Sequence, residues 1–260
     1  MVYIMEPLLN IAIRAARLAG TVISRATARL DAVKFDKKGE LDYVSEVDTQ
    51  VEAIIIETLL DAYPDHAILA EESGKQGNSD YLWIVDPLDG TLNFLNGYPQ
   101  FCVSIALSIK GKLQQAVVYD PIRDELFSAS RGRGALLNDR KIRVNDKTKL
   151  EQTLLATGFP VRKPNSIDNS IETLRRVLAI GTDIRRGGSA ALDLAYVACG
   201  RLDGFWEFGL NPWDIAAGAL LVMESGGIVC DRVASEDFLQ TGDVVAANPK
   251  IVKSLIPHLA

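Results

Sequence analysis

The stretch Trp83-Ile84-Val85-Asp86-Pro87-Leu88-Asp89-Gly90-Thr91-Leu92-Asn93-Phe94 decides how this chain is read. Residues 81–85 form a continuous apolar run, the pattern of a strand buried on both faces. The run ends in two carboxylates three residues apart, flanking a proline and followed by a glycine and a hydroxyl residue. Asp86 and Asp89 can therefore converge at a strand end. The amides of Gly90 and Thr91 can face an anion if a helical turn starts there. Hard oxygen ligands beside an anion cradle suit Mg²⁺, which takes few carboxylates and leaves its remaining positions to water and phosphate oxygens. Asp-Pro-x-Asp-Gly is also good turn chemistry, so the stretch by itself leaves turn and metal site both open.

Working outward, Leu8, Ile11, Ala15, Leu18, Ala19 and Val22 recur at helical spacing and predict a long helix over 6–30. Residues 33–43, with Lys37, Lys38 and Gly39, read as a loop or hairpin. A second helix carries Val44, Val47, Val51, Ile54, Ile55 and Leu59 on one face and is closed by Pro64. Ser45 and Asp48 fit a variant capping box at its start. A short apolar run over 67–70 leads into Glu71-Glu72. After the central stretch, residues 101–109 alternate apolar and small or polar, Lys110-Gly111-Lys112 makes a turn, and strands follow at 116–119 and 125–129. That is an antiparallel meander. Farther on, strands near 153–157, 183–185, 203–208, 228–231 and 244–247 alternate with helices near 167–180 and 189–199 and a helix from Pro212 to Gly226-Gly227. A last helix is capped by Asn248 with Pro249 at its first position. The order predicts mixed α/β layers in one domain over 1–260. A soft subdivision near 140–150 separates an antiparallel-sheet half (1–145) from a mixed-sheet half (146–260).

Three more acids sit at element ends. Glu71 is readable as a solvated loop acid, Asp48 as the cap partner of Ser45, and Asp214 in Pro212-Trp213-Asp214 as a dipole-compensating acid. Their joint occurrence with the central stretch points to one shared site. The bulk numbers are ordinary for a soluble protein: 260 residues, 48% hydrophobic and 24% charged. A net charge of −6 argues against general binding of nucleic acid or anionic membrane; a specific nucleic-acid or protein partner is not indicated and is left open. It does not exclude an anionic substrate, because a bound cation inverts the local field. Cys102, Cys199 and Cys230 form no CxxC pair and read as buried free thiols of a reducing cytosol. His66 and His258 lack zinc spacing and read as surface residues. The first twenty residues are broken by Glu6, Asn10, Arg14 and Arg17, so no signal peptide is read, no run is long enough to span a membrane, and a cytoplasmic location is expected. No GxGxxG follows a strand, and Gly74-Lys75 lacks the upstream glycine of a P-loop.

The central stretch resembles the W-I-V-D-P-[ILV]-D-G-T-x-N-F motif of the inositol monophosphatase family, and the resemblance runs over nearly the whole chain. Trp213-Asp214-x-Ala216-Ala217-Gly218 and Glu224-Ser225-Gly226-Gly227 match a second motif. Ala70-Glu71-Glu72-Ser73 matches the family's G-E-E with Ala in place of Gly. The run from Arg185 through Gly188-Ser189-Ala190-Ala191-Leu192-Asp193 to Gly204 is similar to bacterial members. The resemblance implies a layered αβαβα sandwich with an antiparallel sheet in the first half and a mostly parallel sheet in the second. It implies a Mg²⁺-dependent phosphomonoesterase of a small sugar or polyol phosphate, inositol monophosphate first, working through metal-activated water with two to three ions per site. Glu71, Asp86 and the Leu88 carbonyl would hold one ion, and Asp86, Asp89 and Asp214 a second. A third would use Glu71 and mainly water. The phosphate would rest on the Gly90 and Thr91 amides, and Asp48 with the Thr91 hydroxyl would orient and deprotonate the attacking water near Lys37. Gly188, Ser189, Ala190 and Glu207 would meet the polyol together with Asp89. A homodimer and lithium sensitivity are implied in the same way.

The same fold also carries phosphatases of fructose 1,6-bisphosphate, histidinol phosphate, NADP(H) and 3′-phosphoadenosine phosphates, and the metal motif does not choose among them. Glu207 favours a polyhydroxylated ring, since a carboxylate accepts two hydroxyl hydrogen bonds. A rival of another class is a partner-binding protein on the same fold, docking through Arg185-Arg186 or the Arg131/Arg133 loop. Those arginines read more readily as solvated or dimer-interface residues.

Overall fold

Helix α1 (Pro7–Thr27) forms because Leu9, Ala12, Ala15, Ala16, Ala19 and Ile23 fall on one face, and all six are buried. The structure, a computed structural model, describes residues 7–39, 42–159 and 167–259. After α1 come the antiparallel strands β1 (Phe35–Gly39) and β2 (Asp42–Ser45) and then α2 (Glu46–Ala62). Ser45 caps α2: its hydroxyl accepts from the Val47 and Asp48 amides at 3.2 and 3.4 Å, and the Ser45 amide donates to Asp48 Oδ2 at 2.9 Å. This is the capping box read from the sequence.

The first sheet is built from β3 (Ala67–Ala70), β4 (Gly74–Gln76), β5 (Tyr81–Asp89), β6 (Cys102–Ile109), β7 (Lys112–Asp120), β8 (Glu125–Ser130), β9 (Gly134–Leu137) and β10 (Arg140–Lys141). Its spatial order is β10-β9-β8-β7-β6-β5-β3-β4. All pairs are antiparallel except β3 with β5. A short helix, α3 (Thr91–Leu95), leaves β5 at Gly90. The second sheet contains β11 (Leu154–Thr157), β12 (Asp183–Arg185), β13 (Gly204–Glu207), β14 (Ile228–Cys230) and β15 (Val244–Ala247), in the order β12-β11-β13-β15-β14. Between them in sequence lie α4 (Ile167–Leu178), α5 (Ala190–Ala198), α6 (Pro212–Glu224) and α7 (Phe238–Thr241), and α8 (Pro249–Leu255) follows.

Side-chain alternation sorts these elements into five layers. Trp83, Val85, Val103, Ile105 and Val117 face α1 and α2 in one apolar cluster. Ile84, Ala106, Ala116, Val118 and Phe127 point the other way, onto α5 and α6, where they share a second cluster with Ala156, Phe205, Val244 and Ala246 of the other sheet. The far face of that sheet, Leu155, Trp206, Val245 and Ala247, packs with Val177 of α4 and with Ile251, Val252 and Leu255 of α8. The layered α/β sandwich is therefore as read. The second sheet differs in one respect: β11 pairs parallel with β12 and β13, but β13 with β15 and β14 with β15 are antiparallel, so it is mixed instead of mostly parallel.

Two smaller readings are also settled. All three cysteines are free, with Cys102 and Cys230 buried and Cys199 half-buried. His66 is not a plain surface residue: it stacks between Tyr63 and Tyr81, with ring centroids 4.8 and 4.6 Å away, and its Nδ1 accepts from the Trp83 indole at 3.1 Å. Among the described residues no helix is long and apolar enough to cross a membrane.

Candidate active site

Strand pairing brings the acids together. β3 runs parallel to β5 with Ala70 opposite Val85, and the Glu71 amide donates to the Val85 carbonyl at 3.2 Å. Glu71 and Asp86 thus leave adjacent strand ends side by side. Asp86 pairs across the sheet with Ser104, whose hydroxyl donates to the Trp213 carbonyl at 3.2 Å. That bond sets the start of α6, and with it Asp214, over the same strand end. Asp214 is fixed in turn by its own capping box, Oδ2 accepting from the Asn211 amide at 2.7 Å. The β5–β6 register shifts between Asp86 and Asp89, placing Asp89 opposite Cys102.

Electrostatics reports the convergence. Burial pushes Asp86 well above the usual carboxylate range, and the charges of Glu71, Asp89 and Asp214 push it further. Asp214 is raised by burial and then by Asp89, with smaller contributions from Glu71 and Glu207. Asp89 is raised by burial to about 6, although the Ser189 hydroxyl and the Ala191 amide both donate to its Oδ2, at 2.7 and 2.8 Å. The Cys102 thiol lies 3.9 Å from the same oxygen and is itself held protonated by burial.

On one flank, Thr91 Oγ1 stands 2.8 Å from Asp48 Oδ1 and 3.1 Å from the Leu88 carbonyl, and its single proton goes to one acceptor at a time. Burial raises Asp48 above the ordinary range. Gly90 has φ +98°, and a Cβ there would lie 2.9 Å from the Gln100 carbonyl oxygen. Lys37 lies on β1, but its side chain falls outside the described residues. On the other flank, Ser189 holds Asp89, and the Gly188 carbonyl would lie 3.3 Å from a Cβ on Gly90. Ala190 opens α5. Glu207 acts by its charge on Asp193 and Asp214 and would meet a Cβ on Gly158 at 2.0 Å.

Several supporting residues carry no role in the sequence reading. Glu52, buried on α2, accepts from the Glu72 and Ser73 amides at 2.8 and 2.9 Å and so anchors the turn that carries Glu71. Asn93 donates to the Gln100, Gly187 and Gly188 carbonyls at 2.7, 2.9 and 3.4 Å, tying α3 to the approach to α5. Asp193 is a buried carboxylate behind that approach. A signal for Glu52 was present: it is an acid one turn after Asp48, beside the apolar face of α2.

The donor chemistry fits a hard divalent cation. It offers several carboxylates and the Leu88 carbonyl, while the one nearby thiol stays protonated and no imidazole is present in this set. The spacing is looser than a closed coordination shell: among the described residues no three acid, histidine or cysteine side chains stand close enough together to hold a metal ion as they are. The mutual repulsion registered at Asp86 is what a cation would relieve.

Residues 4–260 match the sequence pattern of the inositol monophosphatase family. A Nus factor SuhB from Pseudomonas aeruginosa is 52% identical over 265 residues, covering 98% of either chain. Among solved structures, the extragenic suppressor protein suhB from Bartonella henselae is 44% identical with a TM-score of 0.95 and 98% coverage of both chains. An inositol monophosphatase from Anabaena is 43% identical with a TM-score of 0.86, covering 96% of this chain and 94% of that one.

Proposed function

This chain belongs to the inositol monophosphatase family, and on that premise we propose that it is a Mg²⁺-dependent phosphomonoesterase acting on inositol monophosphate. The observation that carries the reading is the cluster of Glu71, Asp86, Asp89 and Asp214, acids that repel one another at one strand end beside the Gly90–Thr91 turn. The bound cations would supply Lewis-acid stabilisation of the phosphate and a lowered pKa for the attacking water. Glu71, Asp86, the Leu88 carbonyl, Asp89 and Asp214 would hold them. Asp48, hydrogen-bonded to Thr91, would take the proton of that water, and the burial that raises its pKa supports such a role. The amides of Gly90 and Thr91 would cradle the phosphate, with Lys37 near the water. Gly188, Ser189, Ala190 and Glu207 would orient the polyol. A homodimer is proposed on family grounds alone.

The test is phosphate release from inositol 1-phosphate by purified protein with Mg²⁺. Asp86→Asn is expected to lower kcat at least a thousandfold, and unaltered turnover in D86N would sink the scheme.

A second reading rests on the name of the P. aeruginosa relative, a Nus factor, which points to a transcription-related role with protein or nucleic-acid partners. The two roles separate cleanly. If a strain lacking this protein has a transcription defect and D86N restores it in full, the partner role stands independently of turnover.

A further inference from the structure

Serine is favoured just before a helix because its hydroxyl accepts from amides of the first turn. Ser189 stands at that position before α5, yet its side chain caps nothing there. Its one proton goes outward instead, to Asp89 Oδ2 at 2.7 Å. The Ala191 amide, in the first turn of α5, donates to the same oxygen at 2.8 Å. Asp89 thus caps α5 from the end of β5, and its negative charge faces the positive end of that helix. The Cys102 thiol, opposite Asp89 in the β5–β6 pairing, lies 3.9 Å from Oδ2 and 3.6 Å from Ser189 Oγ. These three contacts all fall on Oδ2, which leaves Oδ1 as the oxygen that a cation would meet.

Burial separates the roles of the two side chains. Ser189 is 1% exposed, so its hydroxyl is not open to a polyol. Asp89 is only half-buried, and its charge acts on both Asp86 and Asp214. The segment before Ser189 is itself held, since the Asn93 amide donates to the Gly187 carbonyl at 2.9 Å. A carboxylate ligand depends on the hydrogen bonds behind it for its orientation, and losing such a partner typically lowers metal affinity about 10–100-fold. We propose that Ser189 is a positioning residue for the cation: with the Ala191 amide it pins Oδ2 of Asp89, so that Oδ1 is presented to the ion that Asp86 and Asp214 would share. This rests on the Mg²⁺-dependent reading of the site. It moves the Ser189 hydroxyl from the polyol side, where the family resemblance puts it, to the metal side.

The test is a calorimetric titration of the full chain, freed of metal by chelator, with Mg²⁺ alone and no substrate present. Ser189→Ala is expected to raise the apparent Kd about tenfold or more. Ser189→Thr keeps the hydroxyl and should restore a Kd near the wild-type value. Ser189→Cys is close to serine in size but a far weaker donor, so it should follow S189A, and it decides the matter if S189A fails to fold. Steady-state kinetics with inositol 1-phosphate then separates the roles: at saturating Mg²⁺, KM should be the same in S189A as in the wild type. A Kd unmoved in S189A or S189C overturns the proposal, and so does a failure of S189T to recover. An unmoved Kd together with a raised KM would return the hydroxyl to the polyol side. If the wild type binds Mg²⁺ but releases no phosphate, the substrate reading fails alone and the titration still decides Ser189. A wild type that binds no Mg²⁺ brings down both.

Discussion

Gly90 admits no side chain. Its left-handed φ of +98° disfavours any L residue, and the Gln100 carbonyl lies where a Cβ would go. Gly90→Ala is expected to destabilise the fold by about 2 kcal/mol or more, combining the left-handed penalty with displacement of the Gln100 segment. Denaturant melts give that value, and phosphate release should fall with it because Thr91 follows directly. At this scale the sequence was most legible where chemistry and turn geometry coincide, in Asp86, Asp89, Gly90 and Thr91. Residues that act through another segment's backbone left weaker traces. Nothing in the spacing of Asn93 says that its amide will reach Gly187, ninety-four positions away. The surroundings of His66 are hidden in the same way, because its Trp83 and Tyr81 neighbours come from β5 while it lies in the loop before β3.

Helix α2 links the core to the site. Its first turn presents Asp48 to Thr91 while completing the cap with Ser45, and its second turn presents Glu52 to the amides after Glu71. Glu52→Ala strips two amides of their acceptor, at a cost of about 1–3 kcal/mol each if no water replaces it. It should also raise the Mg²⁺ concentration needed for half-maximal activity, because the turn carrying Glu71 loses its anchor. Melts and Mg²⁺ titrations of E52A test the two effects separately, and a large stability loss with an unmoved Mg²⁺ dependence would limit Glu52 to folding. Most elements were readable from periodicity and caps, α1, α2, β5, β6, α6 and α8 among them. β9, β10 and α7 were not. The direction of β15 was likewise hidden, since nothing in a strand's own residues states which way its neighbour runs.

At the scale of the whole molecule, the acid cluster opposes folding at neutral pH when no cation is bound. A carboxylate whose folded pKa is raised contributes stability that is fully present below its unfolded pKa and is lost as pH rises through its folded pKa. For Asp89 the window runs from 3.8 to about 6, and Asp86, raised well above the same starting value, extends it upward. Melting temperature in chelator should therefore fall as pH rises from 3.8 to about 6, and keep falling above that through Asp86. Mg²⁺ should offset the fall, by about 2.7 kcal/mol at a hundred times its Kd, so that the gap between the two conditions widens with pH. A Mg²⁺ effect independent of pH would count against cation binding by these carboxylates. One bond pattern has a mechanical consequence as well. Asp89 ends a strand of the first sheet, yet one of its oxygens is tethered to Ser189 and Ala191 at the head of α5, and the apolar layer beneath is common to both sheets. The two halves are joined at the point where the proposed chemistry would occur, so a hinge motion between the sheets would have to break both hydrogen bonds and part that common layer.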